Sequence, residues 1–303
     1  MSTTASTTAA HARALELWGQ GRREEALDAM RAAVLAGLDA EALNDFGVIA
    51  AATLGEDAGR AVFDALLALS PGDPDARSNR DALGEAAGPA ADWRRSSTLG
   101  GPDADMPERA FPGMPAAAVM REHALRYAFA LDLVAGLRVL DLGCGTGYGS
   151  EMLSWTAASV RGFDRWTPKA HELPRWGGGA QLTYGHDLCA DDLPRADAAV
   201  MYEVLEHLAD GPAALRGVWR AVDLLVVSFP NPVFHGSHHN PYHVNDWPLE
   251  RVEREVADAA AVRFGELALS HWRQDYRDGS AGMLLPGRDP DASYWVLVAR
   301  GVA

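Results

Sequence analysis

Apolar residues recur along this chain in two rhythms. Over roughly the first eighty positions they keep helical spacing. Ala26, Ala29, Met30, Ala33 and Val34 make one stripe, and Leu43, Phe46, Gly47, Ala50 and Ala51 make a second. Each predicts an amphipathic helix. From Arg138 onward, short apolar runs bounded by Gly, Asp and Pro alternate with helical stretches. The runs "RVLDLG", "SVRGFD", "QLTYGHD", "DAAVMYE", "LLVVSFP", "VRFGELALSH" and "SYWVLVARG" predict seven strands. Alternation of this kind gives an α/β fold with a mostly parallel sheet covered on both faces. No helical pattern separates the last two runs, so they predict an antiparallel hairpin at one edge.

Residues 85–115 are rich in Gly, Pro and Ala without a sustained period and read as a linker. The stretch "AAAVMREHALRYAFALDLVAG" after it predicts a helix with Ala124, Tyr127, Ala128 and Leu131 on one face and Gly136 closing it. Three regions follow: a small all-α region at 1–84, the linker at 85–115, and an α/β domain at 116–303. In the first region Gly21 and Gly55 stand 34 positions apart, and "SPGDPDA" ends the second unit. With "AEALNDFGVIAAATLG" and "AVFDALLALSPGDPDA", this stretch resembles tetratricopeptide repeats over residues 8–83. Fewer than three full repeats are marginal alone, and terminal repeats need polar caps. The region is therefore expected to lean on the rest of the chain, or to serve as a homodimer surface or a partner-binding surface. Trp18 reads as a packing residue.

Composition narrows the setting. The 303 residues are 48% hydrophobic and 23% charged, enough for one sizeable core and a smaller companion. No long uncharged apolar run predicts a membrane span, and "MSTTASTTAAHAR" lacks the apolar core of a signal peptide, so a cytoplasmic protein is expected. Cys144 and Cys189 are the only cysteines, which excludes a disulfide framework and a four-cysteine zinc site. A formal net charge of -15 argues against nucleic acid as a partner.

The chemistry begins at "RVLDLGCGTGYGS", where a strand halts on Asp141 and breaks into Gly143, Gly145 and Gly147. Glycines there let the chain turn sharply and let a ligand lie against the backbone. Neither the dinucleotide pattern G-x-G-x-x-G nor a triphosphate loop with Lys-Ser/Thr is present. The carboxylate of Asp141 would oppose a pyrophosphate and favour a cationic ligand. Asp164 ends the second strand 23 positions later, where an acid can accept both hydroxyls of a ribose.

These residues resemble class I S-adenosylmethionine-dependent methyltransferases, whose first motif has the form "VLDLGCGTG". The resemblance runs over residues 106–300 and implies a Rossmann-like fold. It implies S-adenosyl-L-methionine as cofactor and a small-molecule acceptor, most simply a hydroxyl of a sugar or secondary metabolite. By that resemblance Asp141, Gly143, Gly145, Asp164 and Glu203 line the cofactor, Asp187 with Leu188 meets the adenine, and "MYEVLEHL" lines the transfer site. The upstream "PERAFPGM" and "EHALRYAFA" recur in a subgroup, where Arg126 or Tyr127 faces the methionine carboxylate.

His235, His238, His239 and His243 fall in "PNPVFHGSHHNPYHVNDW", directly after the fifth strand, and His207 lies in "EVLEHL" after the fourth. Transfer to a hydroxyl needs alignment and a base, and histidine, with an ordinary pKa near 6.5, is the usual one. His207 or His243 is expected in that role, with Glu206 orienting or assisting, while His235, His238 and His239 solvate the loop or touch the acceptor. A rival resemblance also exists. Glu203, Glu206, His207 and His243 match the pattern by which small-RNA 2'-O-methyltransferases hold a divalent cation, a donor set adequate for such an ion.

Overall fold

The computed structural model describes residues 3–36, 40–70, 72–83, 118–166, 179–237, 242–275 and 284–302. The linker at 85–115, "PERAFPGM", His238 and His239 lie outside them. The chain divides into two compact units. No helix among the described residues is long and apolar enough to cross a membrane.

The first unit comprises Met1–Gly136, Gly145–Ala157 and Pro168–Gln181. Its helices are α1 (Thr3–Gly19), α2 (Arg23–Ala36), α3 (Ala40–Leu54), α4 (Glu56–Leu69), α5 (Pro74–Ala82), α6 (Ala118–Leu133) and α7 (Tyr148–Ser154). Successive helices pack on one another, α1 on α2, α2 on α3, α3 on α4 and α4 on α5. Ala26, Met30, Ala33 and Val34 of one stripe, and Leu43, Phe46, Gly47 and Ala50 of the other, are buried. Small residues set how closely α3 and α4 cross. A Cβ on Gly59 would lie 2.4 Å from Ala51 Cβ and 2.7 Å from the Gly47 carbonyl, so any side chain there must push the helices apart. Asp73 caps α5 by accepting from the Asp75 and Ala76 amides, with Pro74 opening the helix. Trp18 is half-buried, with the Arg23 guanidinium 5.9 Å from its ring.

The second unit comprises Leu137–Cys144, Ala158–Thr167 and Leu182–Ala303. The sheet strands are β1 (Arg138–Leu142), β2 (Ser159–Asp164), β3 (Ala180–Tyr184), β4 (Ala198–Tyr202), β5 (Leu224–Pro230), β6 (Glu266–Gln274), β7 (Leu284–Pro286) and β8 (Tyr294–Val302). Helices α8 (Gly211–Ala221), α9 (Pro232–His235) and α10 (Leu249–Ala260) and a 3-10 turn at Leu205–His207 complete the unit. Strand order is β3-β2-β1-β4-β5-β8-β6-β7. β1 runs parallel to both β2 and β4, and β4 runs parallel to β5. Chain order therefore reverses between β1 and β4, which opens the crevice beyond their carboxyl ends where ligands of such sheets bind. Every residue of β4 and β5 is buried, as central strands require.

One expectation is corrected. The sheet has eight strands rather than seven, because Leu284–Pro286 pairs with Trp272–Gln274. Three residues are too few to show a period. The antiparallel pairing of the last two predicted runs at one side of the sheet holds: β8 pairs with β6, and it lies between β5 and β6, antiparallel to both. Its run Trp295-Val296-Leu297 is buried, whereas β6 is exposed or half-buried until Gln274, so the more apolar strand takes the interior place.

At the amino ends of β1 and β4, Asp197 accepts three hydrogen bonds from Arg138: from its amide at 2.9 Å, from Nε at 3.0 Å and from Nη2 at 2.7 Å. The side-chain bond foremost, then the backbone one, holds the Asp197 carboxyl down to about 2.

Candidate active site

The loop after β1 is shaped by left-handed backbone. Gly143, Gly145 and Gly147 have φ of 78°, 55° and 88°. At Gly143 sterics add to conformation, since a Cβ would stand 2.3 Å from Val204 Cγ2. The Gly143 and Cys144 amides both donate to the Phe163 carbonyl, at 2.8 and 3.1 Å, stapling the loop to the end of β2. At Gly145 a Cβ would meet no heavy atom within 4 Å, so only its backbone conformation asks for glycine. Asp141 is fully buried at the end of β1.

The other predicted acids lie at the carboxyl ends of the neighbouring strands. Asp164 is the last residue of β2, and its Oδ1 accepts from the Trp166 amide at 2.8 Å. Asp187 lies three residues beyond the end of β3 rather than on it, in a turn where its Oδ1 accepts from the Cys189 amide at 2.9 Å. The side chain of Leu188 joins the hydrophobic core. Glu203, one residue past β4, has φ of 53° and is the sole non-glycine residue in the left-handed region among those described. Such strain costs about 1–3 kcal/mol and concentrates at ligand sites. Ser228 of β5 holds it, donating from Oγ to Glu203 Oε1 at 2.7 Å while accepting from the Glu203 amide at 3.1 Å.

The turn Leu205–His207 and the segment after β5 come together. The Glu206 carbonyl accepts from the Val244 amide at 2.7 Å and the Asn245 amide at 3.1 Å, and Asn245 Nδ2 donates to the Leu205 carbonyl at 2.9 Å. Ser237 donates from its amide to Asp246 Oδ1 at 2.7 Å, joining the two ends of the segment. His207 and His243 thereby meet edge to face, with ring centres 4.9 Å apart. His207 Nδ1 lies 3.1 Å from the Tyr242 carbonyl and His243 Nδ1 lies 2.6 Å from the His235 carbonyl. A carbonyl only accepts, so each Nδ1 donates the bond, and in a neutral ring Nε2 is left with the lone pair. The Glu206 side chain is 3% exposed and its Oε1 is 4.0 Å from His207 Nε2. One donor atom from each of Glu206, His207 and His243 lies within 4.8 Å of the others. Glu203, the fourth expected cation ligand, is not in that cluster; Ser228 engages its carboxylate. His235 instead stacks on Tyr294, rings 4.6 Å apart and 17° from parallel.

In the first unit, Tyr127 is buried, packs edge to face on Tyr148 at 5.5 Å, and lies against Gly149, where a Cβ would stand 2.0 Å from its ring. Arg126 is fully buried, with Nη2 3.7 Å from Glu122 Oε2. Sequence reasoning missed Val204, Ser228, Asn231 and Asn245. Ser228 is the lone hydroxyl in "LLVVSFP" and Asn231 precedes a proline at a helix start, but nothing in the sequence pairs them with Glu203 or the histidines.

Residues 114–258 match the model of a methyltransferase domain family. A probable S-adenosylmethionine-dependent methyltransferase of Mycolicibacterium smegmatis is 29% identical over 193 residues, 55% of this chain and 74% of that protein. A ubiquinone biosynthesis O-methyltransferase of Pseudomonas putida is 34% identical over 95 residues, 29% of this chain and 41% of that protein, so the chain spans less than half of this relative. Among solved structures, an S-adenosylmethionine dependent methyltransferase from Mesorhizobium loti is similar at 18% identity and a TM-score of 0.46, covering 62% of this chain and all of that one. The family match spans the left-handed glycine loop and the acids at or just past the ends of successive strands.

Proposed function

We propose that the protein transfers a methyl group from S-adenosyl-L-methionine to a hydroxyl of a small molecule, a sugar or a secondary metabolite. The observation that carries this reading is the histidine pair. Each Nδ1 bonds a backbone carbonyl, which turns the two rings toward each other beside the buried Glu206 and supports a role for Nε2 of one of them as proton acceptor. The bound cofactor supplies an electrophilic methyl on sulfonium. The chain's own work is to hold and orient. Asp164 at the end of β2 accepts the ribose hydroxyls, Asp187 meets the adenine, and the Gly143–Gly147 backbone lets the cofactor approach closely. His243 or His207 takes the acceptor's proton at Nε2, and Glu206 favours the imidazolium that results. Calorimetry with S-adenosylhomocysteine, followed by an acceptor screen reading its formation, tests the reading; absence of binding, with Asp164→Ala indistinguishable from wild type, overturns it.

The 4.8 Å cluster of Glu206, His207 and His243 supports a second reading, in which a divalent cation assists the transfer. Two neutral imidazoles whose other nitrogens bond carbonyls, plus one carboxylate, suit such an ion, which would polarise the acceptor oxygen. Loss of activity in a chelator and its return with added metal would select this reading over the first. The helices of residues 1–84 act as a tetratricopeptide-like surface for a second copy or a protein partner, which light scattering of the full chain against a chain lacking them would reveal.

A further inference from the structure

We propose that Asn231 is a positioning residue for His243: it fastens the one-turn helix α9 to the turn before β8, and so holds the His235 carbonyl where it fixes the His243 proton on Nδ1. The consequence for transfer rests on His243 belonging to the site proposed above. α9 has four residues, too few to hold a helical turn by itself. Asn231 supplies what is missing. It is 2% exposed, and every polar atom it has is used. Nδ2 donates to the Pro290 carbonyl at 3.0 Å and the Ala292 carbonyl at 2.8 Å, and the amide donates to the Ser293 carbonyl at 2.9 Å. Oδ1 caps α9 by accepting from the Val233 amide at 3.0 Å, and the Asn231 carbonyl accepts from the Phe234 and His235 amides at 3.0 and 2.9 Å.

The far anchor is itself pinned. Trp295 Nε1 donates to the Asp289 carbonyl at 2.7 Å, the Asp291 amide donates to Asp289 Oδ1 at 3.0 Å, and Ser293 Oγ lies 3.1 Å from Asp275 Oδ1 between buried side chains. On the near side, the backbone bond from Val244 to Glu206 fixes the segment bearing His243. Between these two fixed parts the His235 carbonyl meets His243 Nδ1 at 2.6 Å. Release of α9 would remove that acceptor, and a neutral imidazole without it reverts toward the Nε2-protonated form that water favours. The lone pair would then move from Nε2 to Nδ1.

The test reads the proton directly and needs no acceptor. Nitrogen-15 NMR of the histidine rings at pH 8, on the full chain, distinguishes the two tautomers. Wild type is expected to show His243 protonated on Nδ1. In Asn231→Asp, which keeps the capping oxygen and loses both Nδ2 donors, His243 is expected to move to the Nε2-protonated form, while His207, held by the Tyr242 carbonyl, stays as it was. Asn231→Ser serves the same comparison if the aspartate variant does not fold. A wild-type His243 protonated on Nε2, or a folded variant whose His243 signals do not change, overturns the proposal. Affinity for S-adenosylhomocysteine is expected to stay within about twofold in the variant. Failure of the wild type to bind it would count against the transfer reading and leave the tautomer result standing.

Discussion

Strands β1 and β4 carry acids at both of their ends, and the two ends use them in opposite ways. At the amino end Asp197 is paired with Arg138, and the two side chains are 38% and 58% exposed. Nothing there is strained, and the ion pair joins neighbouring strands at the surface. At the carboxyl end Asp141 and Glu206 are buried, Glu203 is held in left-handed backbone, and three glycines in five residues turn the chain. One end contributes modest stability; the other spends stability on geometry. A residue type thus says little about its use until its burial and backbone are known.

The largest effect expected from the carboxyl end is on rate. His243→Ala or His207→Ala should slow transfer by about 10²–10⁴-fold, with S-adenosylhomocysteine affinity preserved, if that imidazole is the base. Wild-type turnover in both variants would remove the histidine pair from the mechanism. Next comes the glycine loop. Gly143→Ala should lose about 2–4 kcal/mol in denaturant unfolding, from left-handed strain plus the Val204 clash, while Gly145→Ala should lose only about 1 kcal/mol. Adding Val204→Ala to the Gly143 variant should recover part of the steric loss; strict additivity would show that the 2.3 Å approach is not the cause.

Glu203→Gly sharpens the contrast further. Relief of strain and loss of the Ser228 bond should nearly cancel, leaving stability within about 1 kcal/mol of wild type. Cofactor affinity should nonetheless fall, by about tenfold if Glu203 holds the cofactor through one charged hydrogen bond. A calorimetric titration unchanged from wild type would take Glu203 out of the binding site.

The smallest effect belongs to the amino end. Asp197→Asn should cost under about 1 kcal/mol, because both partners are more than a third exposed and water screens the pair. The sign of its pH dependence follows from the carboxyl being held at about 2 when folded, against 3.8 ordinarily. The contribution is present above about pH 4 and is lost as pH falls toward 2, because only the unfolded chain then takes up the proton. Melting curves of wild type and variant should therefore converge at low pH; a gap that widens on acidification would contradict the pairing.

The sequence by itself determined the α/β alternation, the helical stripes, the glycine loop and the acids at strand ends. These are local matters: side-chain period, backbone freedom at glycine, and a polar residue ending an apolar run each act within a few positions. The three-residue β7 was too short to show a period, and the interior place of β8 depended on which of two apolar runs the sheet could bury more completely. The approach of Glu206, His207 and His243 to within 4.8 Å of one another, and the bond that a β5 hydroxyl 25 positions away makes to Glu203, were equally tertiary. So were the carbonyl partners of the two histidine rings, whose distances no spacing encodes, and Asn231, whose partners lie 59 and 61 positions away. A hydrogen bond is decided by ångströms and angles between groups that only the folded chain brings together.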